Sequence, residues 1–310
     1  MENTKRIKDG LKFLSIYILL IILLILVPFM GTLTLILLPI PFILYTNKHG
    51  LKPGIVLGLL SFFLLFIITP LALPFTISFV AGGIVIGELY RRKKEAFAVL
   101  LGGSLAFIAA LILNYLGSIL ILQVNPVEVI QELLNESVEL SEQMLSFVGQ
   151  TDENVLESAT LFINELPYIA PVIMIILGIG FAFIVQWIAS LFMRRWDYEV
   201  SLFLPFREWT FPRVFIWYYL IAYILLLIGA EKGTAMYTVI ANLTPLLDFV
   251  MIIQGFSFIF YYFHMKGKSK VLPILILIIS FVLPFLIYLV RILGIIDIGF
   301  ELRKRMNSTK

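Results

Sequence analysis

Apolar residues fall in long runs separated by short polar clusters, and this pattern sets the architecture. Runs lie near 11–29, 32–46, 53–69, 71–90, 96–122, 167–193, 213–230, 235–263 and 271–291. About 20 apolar residues in a helix rising 1.5 Å each cross a hydrocarbon core of ~30 Å. The second run is short and carries Pro39 and Pro41, so it is expected to bend or break. The pattern predicts an all-α fold, a polytopic helical membrane bundle of eight or nine transmembrane segments. Composition agrees: 61% of the 310 residues are hydrophobic and 14% charged, with a mean hydropathy of +1.03. A soluble domain could not hide that much apolar surface. The first run continues as VPFMGTL rather than into a small-residue cleavage site, so it is expected to stay as an anchor.

Charge orients the bundle. Lys5, Arg6, Lys8 and Lys12 precede the first run, Lys48 and Lys52 follow the second, and Arg91–Lys94 follow the fourth. Arg194, Arg195, Arg207 and Arg213 follow the sixth, and Lys266, Lys268 and Lys270 the eighth. Every second loop is basic, which places these loops and the N-terminus in the cytoplasm. Basic loops beside spans belong to the membrane pattern, so the lipid bilayer and not nucleic acid is the expected partner. The expected location is a cell membrane, of the bacterial cytoplasmic kind. Nine full crossings would put Arg303, Lys304 and Arg305 outside; either the last segment, interrupted at Pro284, does not cross fully or the tail is a tolerated exception.

Three regions follow: a five-span region over 1–122, an extracytoplasmic loop over 123–166, and a second membrane region over 167–310. The loop carries nine acidic residues and no Lys or Arg. Asn125, Pro126 and Glu128 read as N-cap, first helical position and returning acid. Ile130, Leu133, Leu134, Leu140, Met144 and Phe147 then form an apolar stripe, stopped by Gly149, with a second short helix expected from Asp152 towards Asn164. Either an amphipathic cap on the bundle or a lid over an outward pocket would fit. The cytoplasmic stretch 194–213 interleaves arginines with Trp196, Phe203, Phe206, Trp209 and Phe211. It suits the headgroup layer, or a docking surface in which Arg207 and Trp209 meet a partner.

Polar and small residues inside the runs carry the candidate chemistry. Gly54/Gly58 and Gly83/Gly87 have the GxxxG spacing of close helix contacts. Gly102, Ala106, Ala110 and Asn114 share one helical face, so Asn114 is an interhelical hydrogen-bonding group or a ligand contact. Asp248 sits mid-run beside Thr244 and Pro245, and an intramembrane carboxylate is a functional candidate by default. Gln186, Asp297 and His49 are weaker candidates, and Glu88 is expected to pair with Arg91 and Arg92 at the membrane edge. With one central carboxylate and no deep Lys or Arg, no dense proton relay is evident.

Other classes are disfavoured. There are no cysteines, so disulfides, thiolate metal sites and cysteine nucleophiles are absent. No GxxxxGK[ST], HExxH or GxSxG sequence occurs. No enzyme, cofactor or metal site is expected.

Three segments together carry a resemblance: LPIPFILYTNKHGLKPG at 38–54, Phe206-Arg207-Glu208-Trp209-Thr210-Phe211-Pro212-Arg213, and Leu293-Gly294-Ile295-Ile296-Asp297 through Arg303. In this order they resemble the YybS family of bacterial multi-pass proteins, over nearly the whole chain. That family is distantly similar to the substrate-binding S components of energy-coupling-factor transporters. The similarity implies a six-span unit over 1–193 with an added helical region over 213–310. It departs from that pattern in lacking an alanine-rich first span and in its large acidic loop. Two functions are therefore carried forward. One is a small-molecule binding or transport subunit, with Asn114 and Gln186 lining an outward pocket, Asp248 as a further contact, and a separate ATPase and coupling subunit. The other is a membrane scaffold or regulator that recruits envelope-associated partners through its cytoplasmic loops.

Overall fold

A computed structural model describes residues 2–148 and 153–308, and among them the regular structure is helical with no strand. The chain gathers into two compact units, Met1–Leu202 and Phe203–Lys310. The division falls after Leu202, between the sixth and seventh predicted spans.

In the first unit, α1 (Glu2–Leu26) is followed by a short 3₁₀ turn, then by α2 (Gly31–Leu37) and α3 (Ile40–His49). The second predicted run is thus broken at Leu38-Pro39. Residues 40–46 of α3 are all buried, which makes it the centre of the unit. Gly50, at φ +92°, turns the chain into α4 (Leu51–Ile68), a backbone conformation that a side chain would strain. A second 3₁₀ turn leads to α5 (Leu73–Arg91), and α6 (Ala96–Leu122) follows the basic turn. The small-residue motifs do what their spacing predicts. A Cβ at Gly83 would strike the carbonyl of Pro39, and one at Gly87 the carbonyl of Ile43, so α3 and α5 touch backbone to backbone. Gly54 likewise admits Thr46, and Gly58 admits Val80. Tyr17, Phe42, Ile86, Val99 and Met193 are fully buried at the core of this packing.

Polar contacts fix the cytoplasmic end. Asp9 accepts from Lys48 at 2.6 Å and lies 2.9 Å from His49, tying the start of α1 to the end of α3. Glu88 is buried and holds both Arg91 and Arg92 at 2.7 Å, the membrane-edge ion pair expected of it. Tyr198 and Val200 pack on the core of this unit, and Ser201 donates to the Lys94 carbonyl. Lys93 pairs with Glu199 and draws its carboxyl below the usual range. The 194–213 stretch is therefore shared: its first half belongs to this unit and 203–213 to the other.

The acidic region departs from expectation. α7 (Pro126–Val148) starts as predicted, with Asn125 Oδ1 accepting from the Val127 N–H and its amide donating to Glu128. The second short helix is not separate: α8 (Glu153–Arg195) runs continuously through the sixth predicted span, about 64 Å at 1.5 Å per residue. Gly149 and Asp152 lie outside the described residues. α7 leans on the start of α8 through Val127, Val138, Ile163 and Leu166, and Gln131 donates to the Ile163 carbonyl. Ile130, Leu133, Leu140 and Met144 stay exposed, so the stripe does not lie against the bundle.

The second unit holds α9 (Val214–Ile228), α10 (Ala235–Met265), α11 (Val271–Val282), α12 (Pro284–Phe300) and α13 (Leu302–Ser308). The last predicted run ends differently from a crossing. α11 spans about 18 Å and α12 about 25 Å, each short of a ~30 Å core. They meet at a corner, Leu283-Pro284, where Pro284 takes the first helical position. Pro273 of α11 shares a cavity of about 220 Å³ with Phe206 and Arg207, and Arg303, past α12, reaches the carbonyls of Arg207 and Trp209. Both arms return to the 205–209 segment, so α11 and α12 form a re-entrant pair and the basic tail comes back beside Arg207 and Trp209. Among the described residues six helices, α1, α4, α5, α6, α8 and α10, are long and apolar enough to cross, with α9 and α11 shorter.

Candidate functional site: the charged seam of α10 and α12

α10 and α12 cross where Gly255 meets Gly294. A Cβ on either would collide with the Val290 or the Met251 carbonyl, so only glycine permits this approach. On either side of the crossing lies an acid with an arginine.

On the membrane side, Asp248 Oδ2 accepts from Arg291 Nη1 at 2.7 Å, and Tyr223 Oη of α9 lies 2.9 Å from Oδ1. Arg291 also donates to Tyr223 Oη at 2.8 Å, and its guanidinium stands 5.0 Å from the Tyr288 ring centre. Tyr219 stacks on Tyr223. The sequence had suggested no deep cation; Arg291 overturns that, because the re-entrant turn carries it from the end of a predicted span back to the middle of α10. A charge on a helix in lipid costs about 2.5–3.5 kcal/mol by insertion scales. Pairing, two hydrogen bonds and two aromatic faces offset that cost here.

On the cytoplasmic side, segment 203–213 is irregular apart from one 3₁₀ turn at Phe206–Glu208, so its backbone polar groups need partners from elsewhere. α10 and the α12–α13 junction supply them. Arg303 Nη1 donates to the carbonyls of Arg207 (2.9 Å) and Trp209 (3.0 Å), and Ser257 Oγ lies 2.7 Å from the carbonyls of Phe206 and Trp209. Gln254 accepts from the Phe211 N–H at 3.0 Å and donates to Asp297, which also accepts from Arg303 Nε at 2.9 Å. Tyr261 stacks under the guanidinium at 5.3 Å. Asp297 is 2% exposed and Arg303 12%, so these charge-assisted bonds are shielded from water. The Trp209 indole N–H donates to the Leu204 carbonyl while its ring packs on Phe203 and Phe206.

Beside this clasp opens a cavity of about 240 Å³, lined among others by Thr210, Arg213, Gln254, Glu301, Arg303 and Lys304. Lys304 donates to Glu301 and Arg213 pairs with it, which holds the Glu301 carboxyl below its usual range. The 220 Å³ cavity on the other flank is walled by Arg207, Lys268 and Lys270 and by His264. Both recesses are cationic on balance.

The other sequence candidates fall elsewhere. Asn114 donates to the Pro74 carbonyl and to Ser78 Oγ, both at 2.8 Å, so it bridges α6 to α5. Gln186 donates to the Ala96 carbonyl at 2.8 Å, at the opposite end of α6 and about 27 Å from Asn114 along that helix. The structure does not bring these two into one pocket. Gln186 Oε1 is buried without a hydrogen bond. Asp248 is the candidate that gains partners, and Asp297, weak in sequence, becomes a hub. Arg207 keeps a partly exposed side chain beside Glu208, whereas Trp209 is committed to the platform. Among the described residues, no group of three His, Asp or Glu is placed to hold a metal ion. Arg291 and Arg303 were missed as site residues: Arg303 stood only within the family segment 293–303, and Arg291 lay at the end of a predicted apolar run with no partner near it in sequence.

Two of the three segments that carried the family resemblance, 206–213 and 293–303, thus close on each other. Comparison with known proteins agrees. The profile of a family described as "Predicted membrane protein (DUF2232)" matches residues 15–298. The Bacillus subtilis (strain 168) "Uncharacterized protein YybS" is 30% identical over 309 residues, 99% of this chain and 100% of that protein. No solved structure matches. The chain belongs to the DUF2232 family of multi-pass membrane proteins, the family of YybS.

Proposed function

We propose that this protein is a membrane-embedded scaffold or regulator that docks an acidic partner on its cytoplasmic face. One observation carries the reading: side chains from α10 and the α12–α13 junction hold the irregular 203–213 segment by its backbone. Its outward groups, Arg207, Thr210 and Arg213, then flank two cationic recesses. Fixing an irregular segment with buried, charge-assisted bonds is unnecessary for membrane anchoring alone. It removes the ordering cost that a flexible docking loop would meet on binding. Complementary charge would steer the partner.

A second reading, a subunit binding or transporting a small molecule, is favoured by the first unit, which compacts as a unit of its own around five helices long enough to cross and the broken α2–α3 pair. Photo-crosslinking in native membranes separates the two. With the probe at Thr210, the scaffold reading expects one dominant protein adduct, reduced at least tenfold by Arg207→Ala with Lys268→Ala and Lys270→Ala. An unchanged adduct would overturn it. An adduct to an ATPase-coupled membrane subunit, or a stoichiometric metabolite in the purified protein, would establish the second reading instead.

A further inference from the structure

A cleft of about 410 Å³ opens at the cytoplasmic end of the first unit, between α1, α3 and α4. Its chemistry is layered. Arg6 and Lys52 stand exposed at the mouth, and neither forms an ion pair among the described residues; Asp9, the nearby acid, is already engaged by Lys48 and His49. Below them the walls become apolar, with Leu11 and Leu14 of α1 facing Val56, Leu57 and Leu60 of α4. The Tyr45 ring closes the back of the cleft. This residue is 94% buried (6% exposed), and its hydroxyl makes no hydrogen bond among the described residues. Gly10 keeps the space in front of that hydroxyl open, since a Cβ there would come within 3.3 Å of it.

We propose that this cleft holds one anionic phospholipid. The phosphate sits between Arg6 and Lys52, the Tyr45 hydroxyl donates to a phosphate or ester oxygen, and an acyl chain lies between Leu11 and Leu57. Three features select this occupant. Arg6 and Lys52, which form no ion pair among the described residues, stand at the mouth where the apolar walls begin, and basic recesses between spans suit anionic headgroups. The Tyr45 hydroxyl, which opens on the cleft and makes no hydrogen bond among the described residues, gains an acceptor. The apolar lower half excludes free phosphate as the natural ligand, because nothing in it would solvate an ion.

The experiment is native mass spectrometry of the full chain, extracted from nanodiscs of mixed phosphatidylglycerol and phosphatidylcholine and washed in detergent. One phosphatidylglycerol per chain is expected to survive washing, unaffected by millimolar inorganic phosphate. Arg6→Ala with Lys52→Ala is expected to lower its occupancy at least tenfold, and Tyr45→Phe severalfold. Val56→Trp, which fills the cleft with every charge intact, should match the double variant. Lys93→Ala with Lys94→Ala removes the same charge elsewhere and should leave occupancy unchanged. Equal loss in both double variants would mean a diffuse basic surface and would overturn the site. So would retention in Val56→Trp, displacement by phosphate, or no retained lipid at all.

Discussion

Asp248 and Arg291 illustrate how a residue's meaning depends on what the fold brings to it. Alone, each would be a costly charge at depth; together they share a tyrosine hydroxyl and form one unit. Removing one partner of such a pair leaves the other uncompensated, at a cost of about 3 kcal/mol or more. Arg291→Met should therefore lower the detergent-solubilised protein's thermal midpoint clearly. Adding Asp248→Leu should recover most of that loss, because two apolar side chains replace two charges. Tryptophan fluorescence during heating reads both. A double variant no more stable than Arg291→Met would show that the pair does more than balance charge. Asn114 and Gln186 behave differently: each donates its amide N–H to a neighbouring helix, a role that sequence position alone cannot separate from ligand contact.

At the scale of elements, the apolar runs foretold where helices lie but not which of them cross. The same 3.6-residue pattern serves a full span and a half-span, so α11 and α12 read as one segment until the corner at Leu283-Pro284 is seen. Continuity misled in the opposite sense at α8, where the acidic start and the apolar span are one helix. Local signals with their own chemistry were legible: the Asn125 cap, the Glu88 ion pair and the glycines of α5. The clasp was only half legible, because its motifs lie far apart in sequence and their meeting depends on the re-entrant turn. That turn has a direct check. The native chain has no cysteine, so Met306→Cys and Met236→Cys can each be labelled without background. Met236→Cys should react with an impermeant maleimide on intact cells, and Met306→Cys only after permeabilisation. Labelling of Met306→Cys from outside would restore a full last crossing.

Across the whole molecule, the re-entrant turn reconciles fold and charge. Within the second unit the C-terminal basic cluster comes back beside the basic 203–213 segment, where Arg303 bonds the carbonyls of Arg207 and Trp209. It also imposes an order of events during synthesis. Asp248 leaves the ribosome 43 residues ahead of Arg291, so α10 enters the bilayer with its carboxylate unmatched and its Gly255 face bare. Until α12 arrives, the newborn second unit displays the kind of exposed intramembrane polarity that membrane proteases recognise. A chain ending at Lys270 should accordingly turn over several times faster than the full chain in a pulse-chase experiment. Asp248→Leu should lengthen its lifetime, and equal lifetimes with and without that change would show that the waiting carboxylate is not what is read. By this reasoning α12 completes the charge pair that α10 leaves open, and the two lifetimes measure what that completion is worth to the chain.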